Sequence, residues 1–184
     1  MDQQKMHQLA DYGQSIWLDY INRSLVEKGQ LQEWINAGLR GLTSNPTIFN
    51  QVISKGRDYD EAIARLRQDG KSVQEIYDAL TIRDIQDAAD LFFPVYNRTN
   101  RLDGYVSLEI NPQLAHDAAA SIREGKRLFA RINRPNCMIK VPATGAGFVV
   151  VEELIAEGIN VNATLIFSIE QYEQTAQAYL RGLE

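Results

Sequence analysis

The stretch Asn136-Cys-Met-Ile-Lys-Val-Pro-Ala-Thr144 brings one lysine, Lys140, near the end of a short apolar run. The apolar residues predict a buried strand, and Pro142 predicts its end because proline cannot donate to a sheet ladder. The long side chain can reach solvent from such a strand, which is the commoner outcome for a single lysine. In a dry pocket, by contrast, the neutral amine is favoured. A neutral lysine amine is the nucleophile that Schiff-base chemistry requires.

Polar and apolar residues alternate along the predicted strands, and the polar sets contain further ionisable groups. Side chains of one parity share a face of a strand. Asp19, Glu109 and Lys140 fall on polar faces, at or near the C-terminal ends of their strands. In parallel barrels the active site lies at that end of the strands. The alternative is an open antiparallel sheet with one solvent-exposed face, but such a sheet would not explain why the connections between the strands are helical. The neutral side chains on these faces include Asn45, Asn162 and Thr164.

A lysine, two carboxylates and small hydrogen-bonding groups suit a carbonyl substrate. Lys140 would attack the carbonyl carbon and form an iminium ion, which accepts electrons when the neighbouring C–C bond breaks. One carboxylate would shuttle protons during imine formation, and the other would deprotonate the hydroxyl on the carbon being cleaved. Both acids also favour a protonated lysine, so their effect opposes that of burial.

Five strands, each followed by a helical pattern, position these residues. This alternation predicts an α/β fold with a parallel sheet and helices outside it. Ser72 and Glu75 form a capping box that opens a long helix ending at Pro94. Asn111-Pro112 opens a helix over Gln113–Ile132. The predicted strands cover residues 15–20, 41–44, 104–110, 136–142 and 160–167.

The composition of the 184 residues, 45% hydrophobic and 23% charged, is that of a globular protein. A net charge of −5 argues against nucleic-acid binding. No apolar run is long enough to span a membrane, and the polar N-terminus lacks a signal-peptide core, so we expect a cytoplasmic protein. A single cysteine, Cys137, excludes an internal disulfide, and with two histidines it disfavours a Cys/His metal site. We expect Cys137 to be packed rather than reactive.

Five motifs, in this order, resemble the transaldolases, which are Schiff-base enzymes on a (β/α)8 TIM barrel. The resemblance covers nearly the whole chain, and the order of the motifs makes it specific. It implies that residues 1–184 contain about the first five β/α units of a barrel of that type. These residues would form a single domain, the N-terminal portion of a transaldolase-like barrel. The motifs are residues 13–20 (GQSIWLDY), 41–49 (GLTSNPTIF), 103–110 (DGYVSLEI), 138–144 (MIKVPAT) and 157–168 (EGINVNATLIFS).

The resemblance also implies roles for single residues. Lys140 would be the Schiff-base lysine. Glu109 would be the acid/base carboxylate acting through a water that Thr164 helps to hold. Asp19 would be the base that acts on the substrate C4 hydroxyl.

Asn45 and Asn162 would bind the hydroxyls of the dihydroxyacetone unit. The implied reaction, part of the pentose phosphate pathway, converts sedoheptulose 7-phosphate and glyceraldehyde 3-phosphate to erythrose 4-phosphate and fructose 6-phosphate. It implies sugar-phosphate substrates and no metal or organic cofactor.

The family's later strands supply a serine and arginines that hold the substrate phosphate, and these cannot be assigned here. Five strands also leave two open edges, so we expect a homo-oligomer or a complementing chain to cover them. The chain alone is expected to show little or no activity on phosphorylated sugars, or to work only when another chain completes the barrel. Two rival hypotheses remain: an aldolase that uses free dihydroxyacetone, and a non-catalytic fragment that acts as a folding or assembly partner.

Overall fold

The computed structural model describes residues 3–184, in which strands and helices alternate along the chain. The strands follow one another in the sheet order β1-β2-β3-β4-β5, and the pairs β1–β2 and β4–β5 are parallel. Each connection between successive strands contains at least one helix, as parallel strands require. The strands are β1 Trp17–Asp19, β2 Gly41–Thr43, β3 Tyr105–Glu109, β4 Cys137–Pro142 and β5 Val161–Thr164. The α/β prediction is confirmed, with five β/α units of a barrel-type arrangement.

The helices are more numerous than the strands because two connections contain several of them. A short 3-10 helix, Pro112–Leu114, precedes α7. The α-helices are α1 Gln3–Asp11, α2 Arg23–Glu27, α3 Gln30–Asn36, α4 Pro46–Lys55, α5 Asp60–Gln68, α6 Val73–Arg98, α7 Ala118–Ile132, α8 Gly145–Ala156 and α9 Ile169–Leu183.

The described residues group into two compact units. The first ends at Val106 and contains β1, β2 and α1 to α6. The second runs from Ser107 to Glu184 and contains β4, β5 and α7 to α9, so that β3 begins in one unit and ends in the other. The single domain over residues 1–184 stays a prediction.

Helix α6 dominates the first unit. Its capping box forms as predicted, with the Ser72 side chain accepting a hydrogen bond from the Glu75 backbone. The predicted end at Pro94 is wrong, because the helix continues to Arg98. A proline inside a helix removes one backbone hydrogen bond. Burial of Val95 and Tyr96 just after it offsets that loss, since apolar burial favours the helical path.

The predicted helix 113–132 is divided in two in the second unit. Asn111 accepts a hydrogen bond from the Gln113 N–H and supports only the 3-10 turn. Asp117 then caps α7 by accepting from the Ala120 N–H at 2.9 Å. An aspartate is a strong N-cap, so the helix restarts there.

Strands β1 and β5 are shorter than predicted. The predicted 15–20 strand is reduced to Trp17–Asp19. The predicted 160–167 strand ends at Thr164, because Leu165 takes a left-handed conformation with φ 62° that no regular strand accommodates.

Candidate active site

Lys140 and Glu109 form an ion pair in the second unit. Lys140 Nζ lies 3.4 Å from Glu109 Oε2, and the side chains are 12% and 13% exposed. The Ile110 N–H donates to the Lys140 carbonyl at 3.2 Å, which aligns the ends of β3 and β4. Two residues of equal register on neighbouring strands share a face, so the backbone itself brings the amine to the carboxylate.

The alternation along β4 agrees with the predicted parity. Ile139 and Val141, which flank Lys140, are fully buried. Lys140 and Met138 are half-buried on the other face. The lysine therefore belongs to a strand anchored in the core, and its carbon stem is largely removed from water.

Asn162 and Thr164 lie beside this pair on β5. Asn162 is the register partner of Lys140, and Thr164 is the partner of Pro142. Asn162 Nδ2 donates to the Ser107 Oγ at 2.9 Å, and Ser107 is fully buried. Ser107 has the same parity on β3 as Glu109 and therefore lies on the same polar face.

A tight turn fixes the chain just after the lysine strand. The Thr144 hydroxyl donates to the Ala115 carbonyl at 2.6 Å and accepts from the Gly147 N–H at 3.0 Å. A Cβ at Gly147 would lie 1.9 Å from the Pro142 carbonyl oxygen, so only glycine fits there. Thr144 is thus the N-cap of α8, and this cap holds the C-terminal end of β4 in place.

Asp19 and Asn45 lie in the first unit. Asp19 is the last residue of β1, is exposed, and has Thr43 of β2 as its register partner. Asn45 Oδ1 accepts from the Ile48 N–H at 3.0 Å and caps α4. This cap uses one lone pair of the Asn45 carbonyl oxygen and leaves the NH2 group as a donor for a ligand.

Trp17 covers the polar face of β1 and β2 below these residues. A Cβ at Gly41, the register partner of Trp17, would lie 2.3 Å from the indole ring. Glycine at position 41 thus makes room for the ring. Thr43 Oγ1 is buried and has no hydrogen-bond partner among the described residues, a feature that depends on packing and has no local sequence signal.

A buried polar cluster anchors the segment that follows Asp19. Arg23 Nε and Nη2 donate to Asp84 Oδ1 at 3.0 and 2.8 Å, and the Tyr59 hydroxyl donates to Asp84 Oδ2 at 2.7 Å. The Arg23 guanidinium also lies 4.5 Å from the centre of the Tyr59 ring. Burial, followed by the charge of Asp84, raises the pKa of Tyr59 above its ordinary value, so its hydroxyl stays protonated.

Comparison with known proteins identifies the family. Residues 16–182 match the transaldolase/fructose-6-phosphate aldolase family. The chain belongs to this family. All six predicted site residues fall within the matched range.

Relatives that carry the name transaldolase match nearly the whole chain. "Transaldolase 2" of Nostoc punctiforme is 47% identical over 178 residues, which is 96% of this chain and 47% of the relative. "Transaldolase 1" of Streptomyces avermitilis is 45% identical over 182 residues, 98% of this chain and 48% of the relative. The chain therefore spans about half the length of the curated relatives it matches.

Three further observations concern other kinds of site in this family member. Cys137 is fully buried, as expected, and burial raises the pKa of its thiol to about 12. Across residues 3–184, no group of three or more His, Cys, Asp or Glu side chains is arranged to hold a metal ion. No helix in the described part of the chain is long and apolar enough to cross a membrane.

Proposed function

We propose that the chain carries the Schiff-base chemistry of a transaldolase and transfers a dihydroxyacetone unit between sugar phosphates. The observation that carries this proposal is the Lys140–Glu109 pair, separated by 3.4 Å and largely buried in a chain of the transaldolase/fructose-6-phosphate aldolase family. The names of the matching relatives favour transfer over simple aldol cleavage.

The reaction begins with Lys140 as a neutral amine. Its lone pair attacks the C2 carbonyl carbon of the ketose phosphate, and the resulting carbinolamine loses water to give an iminium ion. Glu109 accepts and returns protons during these steps through a water that Thr164 helps to hold. The short separation from Lys140 supports this role, because a proton shuttle must lie within hydrogen-bond reach or one water away.

Cleavage follows from the iminium ion. Asp19 takes the proton from the C4 hydroxyl, the C3–C4 bond breaks, and its electrons neutralise the iminium to an enamine on Lys140. An aldehyde phosphate leaves. The enamine then attacks the carbonyl carbon of an acceptor aldehyde, the new alkoxide regains a proton, and water releases the ketose product. The position of Asp19 at the C-terminal end of β1 supports this role, since that end carries catalytic groups in barrels.

Asn45 and Asn162 bind the hydroxyls of the three-carbon unit. The cap on α4 leaves Asn45 its NH2 as a donor, and β5 gives Asn162 the same register as the lysine. Neutral amides suit this task because they fix hydroxyls without adding a charge near the iminium ion.

The substrates are sedoheptulose 7-phosphate and glyceraldehyde 3-phosphate, with erythrose 4-phosphate and fructose 6-phosphate as products, in the cytoplasmic pentose phosphate pathway.

A homo-oligomer or a complementing chain is part of the proposal. Large apolar side chains are exposed at the end of β5 and along α9, and such a cluster favours association. Native mass measurement of the chain should show more than a monomer. The exposed residues are Leu165, Phe167, Ile169, Tyr172, Tyr179, Leu180 and Leu183.

Product analysis tests the function. The purified chain is incubated with fructose 6-phosphate, with and without erythrose 4-phosphate, and the sugars are identified by mass spectrometry. A transaldolase forms sedoheptulose 7-phosphate only when the acceptor is present. Release of free dihydroxyacetone without an acceptor would instead indicate an aldolase, and no conversion under either condition would support the non-catalytic alternative.

A further inference from the structure

The hydrogen bond between Asn162 and Ser107 joins β5 to β3 across the intervening strand β4. Asn162 has the register of Lys140, and Ser107 lies two residues before Glu109. Their side chains meet at 2.9 Å, so the bond crosses β4 between Met138 and Lys140. Its position is therefore directly below the lysine stem on the polar face.

Ser107 is well suited to orient a neighbouring amide. It is fully buried, and its hydroxyl is held by a core strand whose neighbours Val106 and Leu108 are also buried. A buried hydroxyl that loses its partner is costly, so the pair is favoured over two separate groups. The planar amide of Asn162 can turn only as a whole, and fixing Nδ2 on Ser107 also fixes the direction of Oδ1.

We infer that Ser107 is a positioning residue which turns the Asn162 carbonyl oxygen toward the substrate as a hydrogen-bond acceptor. This inference rests on the proposed function and deepens it. A carbonyl oxygen accepts from hydroxyl groups, so Asn162 selects a substrate that presents a hydroxyl donor next to the carbon attacked by Lys140. Ser107 itself does not contact the substrate and acts through Asn162.

The test measures how much fructose 6-phosphate gives half-maximal borohydride trapping on Lys140. Ser107→Ala should raise this concentration about tenfold, the usual effect of losing one buried hydrogen-bond partner. The maximal trapping rate should change much less. A matched control is Ser121→Ala on α7, another buried serine, whose hydroxyl donates to the Leu114 carbonyl at 2.8 Å. It should leave the half-maximal concentration within twofold of the unsubstituted chain.

A double-mutant cycle separates positioning from a general structural role. If Ser107 acts through Asn162, the double variant Ser107→Ala with Asn162→Ala should be no weaker than Asn162→Ala alone. If the double variant instead raised the half-maximal concentration by the product of the two single increases, the inference would be overturned. It would also be overturned if Ser107→Ala left this concentration within twofold, as the Ser121→Ala control should.

Two safeguards keep the outcome decisive. Circular dichroism checks that each variant folds, and Ser107→Cys, which is close in volume and a weaker acceptor, replaces the alanine variant if that one does not fold. It should also raise the half-maximal concentration. Absence of trapping in the unsubstituted chain would overturn the proposed function and this inference together, whereas normal trapping in all variants would overturn this inference alone.

Discussion

Two largely buried ion pairs in this chain differ in what their geometry allows. Arg23 and Asp84 in the first unit are 2.8 Å apart and 15% and 1% exposed, and Tyr59 covers the second carboxylate oxygen. Lys140 and Glu109 in the second unit are 3.4 Å apart and 12% and 13% exposed. Burial alone does not distinguish the pairs.

The chemistry of the cations does distinguish them. An arginine keeps its proton in proteins, so the pair with Asp84 is fixed and serves to join α2 to α6. A lysine can lose its proton, and the 3.4 Å between Lys140 Nζ and Glu109 Oε2 keeps the carboxylate close enough to exchange a proton directly or through one water. Position agrees with this difference, since one pair lies on two neighbouring strands and the other links two helices.

The largest expected effect concerns the pair in the second unit. Glu109→Gln keeps the shape of the side chain but cannot accept a proton, so trapping of fructose 6-phosphate on Lys140 should slow by about 10²–10⁴-fold. Rapid mixing with borohydride measures the rate. Glu157→Gln, at a surface partner of Lys126, is the control and should leave the rate unchanged. An unchanged trapping rate in Glu109→Gln would show that the Lys140–Glu109 pair has no catalytic role and does not differ from the Arg23–Asp84 pair in this respect.

Removing the arginine should chiefly affect stability. Arg23→Ala leaves Asp84 buried without its cation, which should lower the free energy of unfolding by about 3–5 kcal/mol. Urea unfolding measures the change. Arg83→Ala on the same helix as Asp84 breaks an exposed pair with Asp87 and should cost less than about 1 kcal/mol. A similar decrease in the free energy of unfolding in both variants would show that the buried pair contributes no more to stability than the exposed one.

The tyrosine of the cluster should have a smaller effect. Tyr59→Phe removes the hydroxyl that donates to Asp84 and accepts from the Arg23 N–H at 3.2 Å. We expect the free energy of unfolding to fall by about 1–3 kcal/mol, because buried partners lose their hydrogen bonds. In Tyr105→Phe the lost hydroxyl donates to the Arg101 carbonyl near the surface, and the cost should be below about 1 kcal/mol. Equal costs would contradict the proposed importance of the cluster.

The smallest expected effect is a dependence of stability on pH at the exposed N-terminus of α6. Hydrogen bonds from the backbone and hydroxyl of Ser72 lower the pKa of Glu75 from 4.5 to about 2. The ionised cap therefore stabilises the fold fully above pH 4.5 and loses this effect as the pH falls toward 2. Glu75→Gln should make urea stability fall less steeply over this range, whereas an unchanged slope would show that the cap does not contribute.

Much of the candidate site could be predicted because strand parity is a local property. The alternation around Lys140 and Glu109 predicted that both share a polar face, and register brings them within 3.4 Å. The cap at Asn45 also has a local signature, since Pro46 follows it. Such features depend on residues that are neighbours in the sequence.

Features that depend on distant residues could not be predicted in the same way. Arg23 and Asp84 are 61 positions apart, and Asn162 and Ser107 are 55 apart. The end of α6 was misplaced for a related reason, since burial of Tyr96 outweighs the local effect of Pro94. The predicted start of α7 at Gln113 is wrong for a different reason, because Asp117 is a strong local N-cap signal directly before the true start at Ala118.

The central claim is that the amine of Lys140 becomes covalently bound to the substrate. The most direct measurement is reduction with borohydride in the presence of fructose 6-phosphate, followed by peptide mass mapping. We predict added mass on the peptide that contains Lys140, no such addition in Lys140→Ala, and normal addition in Lys126→Ala, a surface lysine variant. An unmodified Lys140 in the folded, unsubstituted chain, or equal modification of other lysines, would contradict the account.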